Sequence, residues 1–168
     1  MKKNLIIGID PGLKNTGWGV IENLNNKELY VSHGVIKTSD KEDLEIKLKL
    51  IYESLNEIVL KFRPSNLAVE KIFSNSNPQS TLKLGKARGM AFLVAAQNNI
   101  KVSEYSPNTV KKNLVGYGHA NKFQIIDMIK RIYPESEIKD TDAADALAVA
   151  TCHSMQSQSL ISKTVIQE

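Results

Sequence analysis

Short apolar runs alternate with longer amphipathic segments along this chain, and the alternation predicts a mixture of strands and helices. Residues 5–10 form an apolar run that ends at Pro11 and Gly12, which is typical of a buried strand that leads into a turn. In residues 43–63 the apolar positions recur at intervals of three and four, which predicts an amphipathic helix that ends before Pro64.

The same criteria predict the remaining elements. We expect strands at 18–22, 29–37, 67–70 and 101–105, and helices at 80–98, 121–133 and from 142 to about 155. Ser106 and Pro107 have the pattern of a helix N-cap followed by proline at the first helical position. This order of elements predicts an α/β fold with a mixed five-stranded sheet and helices on both faces.

The length of 168 residues is that of one domain. We assign residues 1–157 to this domain and residues 158–168 to a flexible C-terminal tail, because the tail is polar with isolated aliphatic residues. The hydrophobic fraction of 42% excludes a disordered chain, and every apolar run is far shorter than the ~20 residues that cross a bilayer. The single cysteine, Cys152, excludes an internal disulfide, and we expect a cytoplasmic protein with no membrane contact.

The net charge of +4 is unevenly distributed. Residues 1–70 contain ten basic and ten acidic residues, whereas residues 71–131 contain ten basic residues and only two acidic ones. A basic segment of this kind indicates a polyanionic partner, although scattered lysines on a solvated face would give the same count.

Four carboxylates lie at positions typical of a catalytic or metal-binding site. Asp10 and Glu70 each end a predicted strand, and Asp142 and Asp145 lie three residues apart at the start of the last predicted helix. Taken alone, Asp10 is a good turn residue before Pro-Gly, and the helical pair complements the helix dipole. Together they favour a shared site, because the carboxyl ends of neighbouring parallel strands form the usual site of an α/β sheet.

Such a cluster needs a cation, because carboxylates gathered at one place repel one another and raise one another's pKa. Oxygen-only ligands favour Mg²⁺ or Mn²⁺ over zinc, and two such ions can clamp the attacking and leaving oxygens of a phosphoryl displacement. A carboxylate metal site beside a basic segment therefore predicts a nuclease.

Five segments of the chain resemble the RuvC family of bacterial Holliday junction resolvases, in the order in which that family has them. They are Gly8-Ile9-Asp10-Pro11-Gly12 with Thr16-Gly17-Trp18-Gly19, Val69-Glu70 with Phe73, residues 82–89, Val110-Lys111 with Gly116-Tyr117-Gly118 and Lys122, and Asp142-Ala143-Ala144-Asp145-Ala146-Leu147-Ala148. The resemblance implies a ribonuclease H-like fold, a homodimer, and Mg²⁺-dependent symmetric nicking of four-way DNA junctions in recombination and repair. It also implies a branch-migration motor as partner.

The resemblance also implies roles for individual residues. The four carboxylates become ligands of two Mg²⁺ ions that activate a water, with Mn²⁺ able to substitute. By this resemblance, Lys111 and Lys122 would contact DNA near the catalytic site, and Phe73 would be an aromatic residue at the junction centre. In addition, we expect the basic side chains of Lys83, Lys86 and Arg88 to extend the DNA track along a duplex arm.

Three other interpretations remain open at this point. The turn at Asp10 also resembles the phosphate hairpin of actin-like ATPases, which need two such domains and more than twice this length. The RNA-processing nucleases of the YqgF type share the chemistry but predict neither the segment 82–89 nor the loop from Gly116 to Lys122. A non-catalytic DNA-binding module would explain the basic segment but has no use for four carboxylates.

Gly85 and Gly89 lie one turn apart in a predicted helix, where each costs about 1 kcal/mol relative to alanine. We expect close helix packing, within the domain or across a dimer, to offset this cost. Phe73 has an alternative interpretation as a core aromatic, which the following polar residues 74–79 disfavour.

Overall fold

The computed structural model describes residues 4–72 and 78–165, and their side chains as far as residue 158. The strands are β1 (Leu5–Asp10), β2 (Asn15–Leu24), β3 (Lys27–Lys37), β4 (Asn66–Glu70) and β5 (Lys101–Tyr105). The helices are α1 (Leu44–Phe62), α2 (Pro78–Gln97), α3 (Pro107–Val115), α4 (Lys122–Ile132) and α5 (Thr141–Val165), with a short 3-10 helix at Pro134–Ser136.

The five strands form one mixed sheet in the order β3-β2-β1-β4-β5. The first three strands are antiparallel neighbours, whereas β1, β4 and β5 run parallel. The predicted α/β fold with a mixed five-stranded sheet is therefore confirmed. Since β1 and β4 are parallel neighbours in the centre, their C-terminal ends come to the same edge of the sheet.

The sheet separates two hydrophobic cores, as expected for helices on both faces. Successive side chains of a strand point to opposite faces, so Ile6 packs in the core that α3, α4 and α5 cover, and Ile7 packs in the core that α1 and α2 cover. Cys152 is fully buried in the first of these cores, on the inner side of α5. No helix in the described part of the chain is both long and apolar enough to span a membrane.

Glycines let α5 pack directly on the backbone of the sheet. A Cβ atom at Gly8 of β1 would lie 2.0 Å from the carbonyl oxygen of Ala146. A Cβ atom at Gly17 of β2 would lie 2.0 Å from the carbonyl oxygen of Asp142. Only glycine fits at these positions, and the absence of side chains brings the first turns of α5 close to the end of β1.

Several boundaries differ from the sequence prediction. The strand predicted at 18–22 extends over Asn15–Leu24, and α2 begins at Pro78 rather than at residue 80. The largest difference is at α5, which continues to Val165 instead of ending near residue 155 and so includes part of the predicted tail. Residues 156–168 contain neither glycine nor proline to end the helix, and Gln158 donates a hydrogen bond from Nε2 to Glu28 Oε1 at 2.9 Å.

Two local predictions concern the N-cap of α3 and the glycines of α2. Ser106 is confirmed as the N-cap of α3, since its Oγ accepts a hydrogen bond from the backbone N–H of Thr109 at 3.1 Å. Of the two alternatives expected for Gly85 and Gly89, close packing within the described part of the domain is not found, and packing across a dimer stays a prediction. Beyond the helix itself, an added Cβ at either glycine would meet no described atom within 4 Å.

Candidate active site

The fold brings the predicted carboxylates to one edge of the sheet. Asp10 and Glu70 are the last residues of the parallel neighbours β1 and β4. Asp10 also pairs with Gly17 of β2, and Gly17 is the residue whose backbone touches Asp142. Asp145 follows one turn later on α5, and its side chain lines the same pocket as those of Asp10 and Glu70.

The pKa values of these carboxyl groups reflect their burial and their proximity to one another. Burial raises the pKa of Asp10 to about 7, with further increases from Asp145, Asp142 and Glu70. Burial is also the main cause that raises the pKa of Glu70, and the charge of Asp145 adds to it. The site is thus a partly buried cluster of acids that destabilise one another's charged forms.

Two lysines bring positive charge to this pocket. Lys122, the first residue of α4, places Nζ 3.0 Å from Asp145 Oδ2, and the hydrogen bond between them raises the pKa of Lys122. Lys111, on α3, lines the pocket and lowers the pKa of Glu70, against the larger effect of burial. A capping box holds the first turn of α4 in place, because Asn121 Oδ1 and the Gln124 side chain each accept the other's backbone N–H.

The donor set fits a divalent metal ion. Carboxylate oxygens are the ligands that Mg²⁺ and Mn²⁺ prefer, and a bound cation would offset the burial and the repulsion that raise the pKa of Asp10. Within residues 4–72 and 78–165, no three Asp, Glu, His or Cys side chains are already arranged as a metal site. To hold an ion, the side chains of Asp10, Glu70, Asp142 and Asp145 would have to turn toward a common point.

We expect Asp10→Asn to stabilise the protein at pH 8 in the absence of divalent ions. The pKa of Asp10 is about 7 in the folded protein and 3.8 in the reference state, so folding favours the protonated acid. Stability is therefore lost as the pH rises from about 4 to about 7, and the charged carboxylate costs up to about 4 kcal/mol at pH 8. Asparagine carries no such cost.

Thermal unfolding in EDTA at pH 5 and pH 8 measures this effect. The midpoint of Asp10→Asn should exceed that of the wild type at pH 8, and the difference should shrink at pH 5. A difference that is equal at the two pH values would contradict the assigned cause.

The other residues predicted to contact DNA differ in their exposure. Lys83 and Lys86 are exposed on α2, where they are accessible to DNA. The guanidinium of Arg88 instead contacts other residues of the domain. It forms an ion pair with Glu104, and its Nε donates a hydrogen bond to the backbone oxygen of Glu70 at 3.2 Å. Phe73 lies outside the described residues.

Sequence reasoning overlooked an aromatic side chain beside the lysines. Phe123 follows Lys122 in the first turn of α4 and is 82% exposed. Tyr117, also exposed, accepts a hydrogen bond on its hydroxyl from Gln124 Nε2 at 2.7 Å, so a second ring is fixed to the same turn. The buried side of α4 is formed by Ile125 and Ile129, and residue 123 falls outside that face, which is the signal that could have identified Phe123.

Comparison with known proteins agrees with this geometry. The family described as "Crossover junction endodeoxyribonuclease RuvC" matches residues 6–153. Proteins of that description from Sinorhizobium medicae and Brucella ovis are 46% and 44% identical to this chain, over 94% and 99% of it and over 95% and 97% of their own lengths.

A solved structure has the same fold over almost the whole chain. It is that of Thermus thermophilus RuvC in complex with a Holliday junction substrate, with a TM-score of 0.85 at 32% identity over 91% of this chain and 94% of that one. The fold, the family match and the two relatives lead to one conclusion. This chain belongs to the RuvC family of crossover junction endodeoxyribonucleases.

Proposed function

We propose that this protein resolves four-way DNA junctions by paired symmetric nicks, in recombination and DNA repair. The observation that carries the proposal is the cluster of four coupled carboxylates beside Lys111 and Lys122, in a chain of the RuvC family. The solved T. thermophilus relative with a Holliday junction supports the choice of substrate. Because members of the RuvC family act on DNA, we also propose that this protein works in the cytoplasm.

The four carboxylates are proposed to hold two Mg²⁺ ions, with Mn²⁺ able to substitute. When bound, the ions supply positive charge to the phosphate and lower the pKa of water. Asp10 stands centrally in this arrangement, because it interacts with each of the other three carboxylates. Lys122 and Lys111 line the same pocket and would hold the phosphate of the strand that is cut.

Residues on the surface around the pocket are proposed to guide the DNA. Lys83 and Lys86 on α2 would contact phosphates along a duplex arm, and Phe73 would stack on a base at the junction centre. Exposed Phe123 is well placed to contact the strand next to Lys122. Aromatic and basic side chains together are typical of surfaces that bind unpaired or distorted DNA strands.

We propose that two chains form a two-fold dimer, because two nicks require two copies of the site. Leu82, Gly85, Gly89 and Leu93 are spaced so that they fall on one side of α2, and both leucines are exposed. The open space at the glycines would let a second chain approach this helix closely. Association with a branch-migration motor is a further proposal, supported by the family resemblance alone.

A cleavage assay on matched substrates tests the proposed function. We expect Mg²⁺-dependent nicks at symmetric positions in a synthetic four-way junction, and light scattering should give the mass of two chains. A linear duplex of the same sequence and an RNA hairpin should be cut far more slowly. Equal cleavage of junction and duplex would contradict the proposal, preferred cleavage of RNA would favour an RNA-processing nuclease, and binding without cleavage would indicate a non-catalytic module.

Lys111→Ala and Lys122→Ala are each expected to reduce both the cleavage rate and the salt dependence of junction binding. Each phosphate contact that is lost should lower the slope of log affinity against log salt by about 0.9, because fewer counterions are released. Fluorescence anisotropy at several NaCl concentrations in EDTA measures the slope. Lys49→Ala is a control, since Lys49 is exposed on α1 and pairs only loosely with Glu53 at 3.8 Å. Unchanged slopes for both pocket lysines would show that they do not contact phosphate.

A further inference from the structure

Arg88 joins α2 to the ends of two strands. Its guanidinium forms an ion pair with Glu104 of β5, and its Nε donates to the backbone oxygen of Glu70, the last residue of β4, at 3.2 Å. The guanidinium also stacks on Phe92 one turn later on α2, with 4.7 Å between its carbon and the ring centroid. Only 18% of the Arg88 side chain is exposed, so these contacts hold it in the interior rather than toward DNA.

The contact with Glu70 is made where the chain leaves the sheet. Glu70 pairs with Tyr105 of β5, and the next residue, Lys71, donates its backbone N–H to the Tyr105 carbonyl at 2.8 Å. The described part of the chain continues only to residue 72 before α2 begins at Pro78. A side chain from α2 that holds the Glu70 carbonyl therefore fixes the last peptide of β4 at the point where the Glu70 carboxylate enters the pocket.

We infer that Arg88 is a positioning residue for Glu70, anchored by Glu104 and Phe92, and that it fixes the backbone from which the Glu70 carboxylate reaches the proposed metal ions. This inference rests on the proposed function, in which Glu70 is a metal ligand. A hydrogen bond to the carbonyl of a ligand residue fixes its peptide plane, and so the point from which its side chain starts. Partners that support metal ligands in this indirect way affect the affinity for the metal. The positive charge of Arg88 is matched by Glu104, so the pair contributes little net attraction for a phosphate.

The internal role and the DNA-track role make opposite predictions for Arg88→Met. A positioning residue affects the affinity for metal and leaves the affinity for DNA unchanged in the absence of metal. A residue that contacts DNA affects the affinity for DNA and leaves the affinity for metal unchanged. Loss of partners that orient metal ligands typically weakens metal binding by 10-fold to 100-fold.

The test measures Mn²⁺ binding by electron paramagnetic resonance, without DNA, for the wild type and for Arg88→Met. Arg131→Met is the matched control, because Arg131 also pairs with a carboxylate, that of Asp127 at 3.7 Å, but on the exposed surface of α4. We expect the Mn²⁺ dissociation constant to rise about tenfold in Arg88→Met and to stay at the wild-type value in Arg131→Met. Junction affinity in EDTA should stay within about twofold of the wild-type value in both variants.

Arg88→Lys and Glu104→Gln keep the test decisive if Arg88→Met does not fold. Lysine retains the charge but offers one nitrogen in place of the fork, so it should not restore full Mn²⁺ affinity. Glutamine at 104 removes the charged anchor and should weaken Mn²⁺ binding by a smaller factor. Wild-type Mn²⁺ affinity in a folded Arg88 variant overturns the inference. This holds even if the unfolding midpoint or the junction affinity of that variant is lower than in the wild type. Absence of Mn²⁺ binding by the wild type would overturn the proposed metal function and the inference together.

Discussion

Asp10→Asn is expected to lower the rate of junction cleavage by about a thousandfold or more while the protein still binds the junction. Asparagine keeps the size of the side chain but removes the charge at the centre of the carboxylate cluster, so the proposed Mg²⁺ ions lose their shared ligand. Single-turnover cleavage in Mg²⁺ measures the rate, and electrophoretic mobility in EDTA measures binding. Asp127→Asn is a matched control, because Asp127 is an exposed carboxylate on α4.

The same experiment extends to the other members of the cluster. Glu70→Gln, Asp142→Asn and Asp145→Asn should each cause a large loss, and a double variant should lose little more than either single one, because the ligands act as a unit. Near wild-type cleavage by Asp10→Asn in Mg²⁺ would exclude the proposed site. Full additivity between two carboxylates would show instead that they have separate tasks.

Gly17→Ala is expected to destabilise the protein by about 3 kcal/mol or more and to reduce cleavage strongly. The new methyl group would stand 2.0 Å from the carbonyl oxygen of Asp142 and 2.3 Å from its carbon, both of which are backbone atoms. Relief requires α5 to move away from β2, and Asp142 and Asp145 would move with it. The two losses should therefore appear together.

Urea unfolding in EDTA, with single-turnover cleavage of the surviving folded protein, measures both effects. Lys49→Ala is the control for stability, since Lys49 is exposed on α1 and pairs only loosely with Glu53, so its unfolding midpoint should stay near the wild-type value. A Gly17→Ala protein with the wild-type unfolding midpoint would show that α5 does not depend on this contact.

Several features of the fold could be predicted because their signals are local. The apolar run of β1 and the periodic α1 that stops before Pro64 are each encoded within a few residues. The placement of Asp10 and Glu70 follows from the same signals, because both residues end strands and the parallel ends of an α/β sheet meet.

The features that sequence reasoning missed depend on contacts between distant segments. Nothing near Gly17 indicates that Asp142 will press against it, and nothing near Arg88 indicates that Glu104 and the Glu70 carbonyl will hold it. A basic residue in a basic segment was therefore expected to face DNA. The end of α5 was misplaced for a similar reason, since Ser154 and Gln158 donate hydrogen bonds to Glu28 on a distant hairpin.

The burial of Cys152 makes the protein suitable for site-specific labelling. Thiolates, not thiols, react with maleimide dyes, and burial raises the pKa of Cys152 to about 12. The native thiol is thus both shielded and protonated at neutral pH, so a cysteine introduced on the surface would be labelled selectively. A dye at Lys49→Cys on α1, away from the proposed DNA contacts, could then report by energy transfer to a labelled junction arm how the DNA bends as it binds.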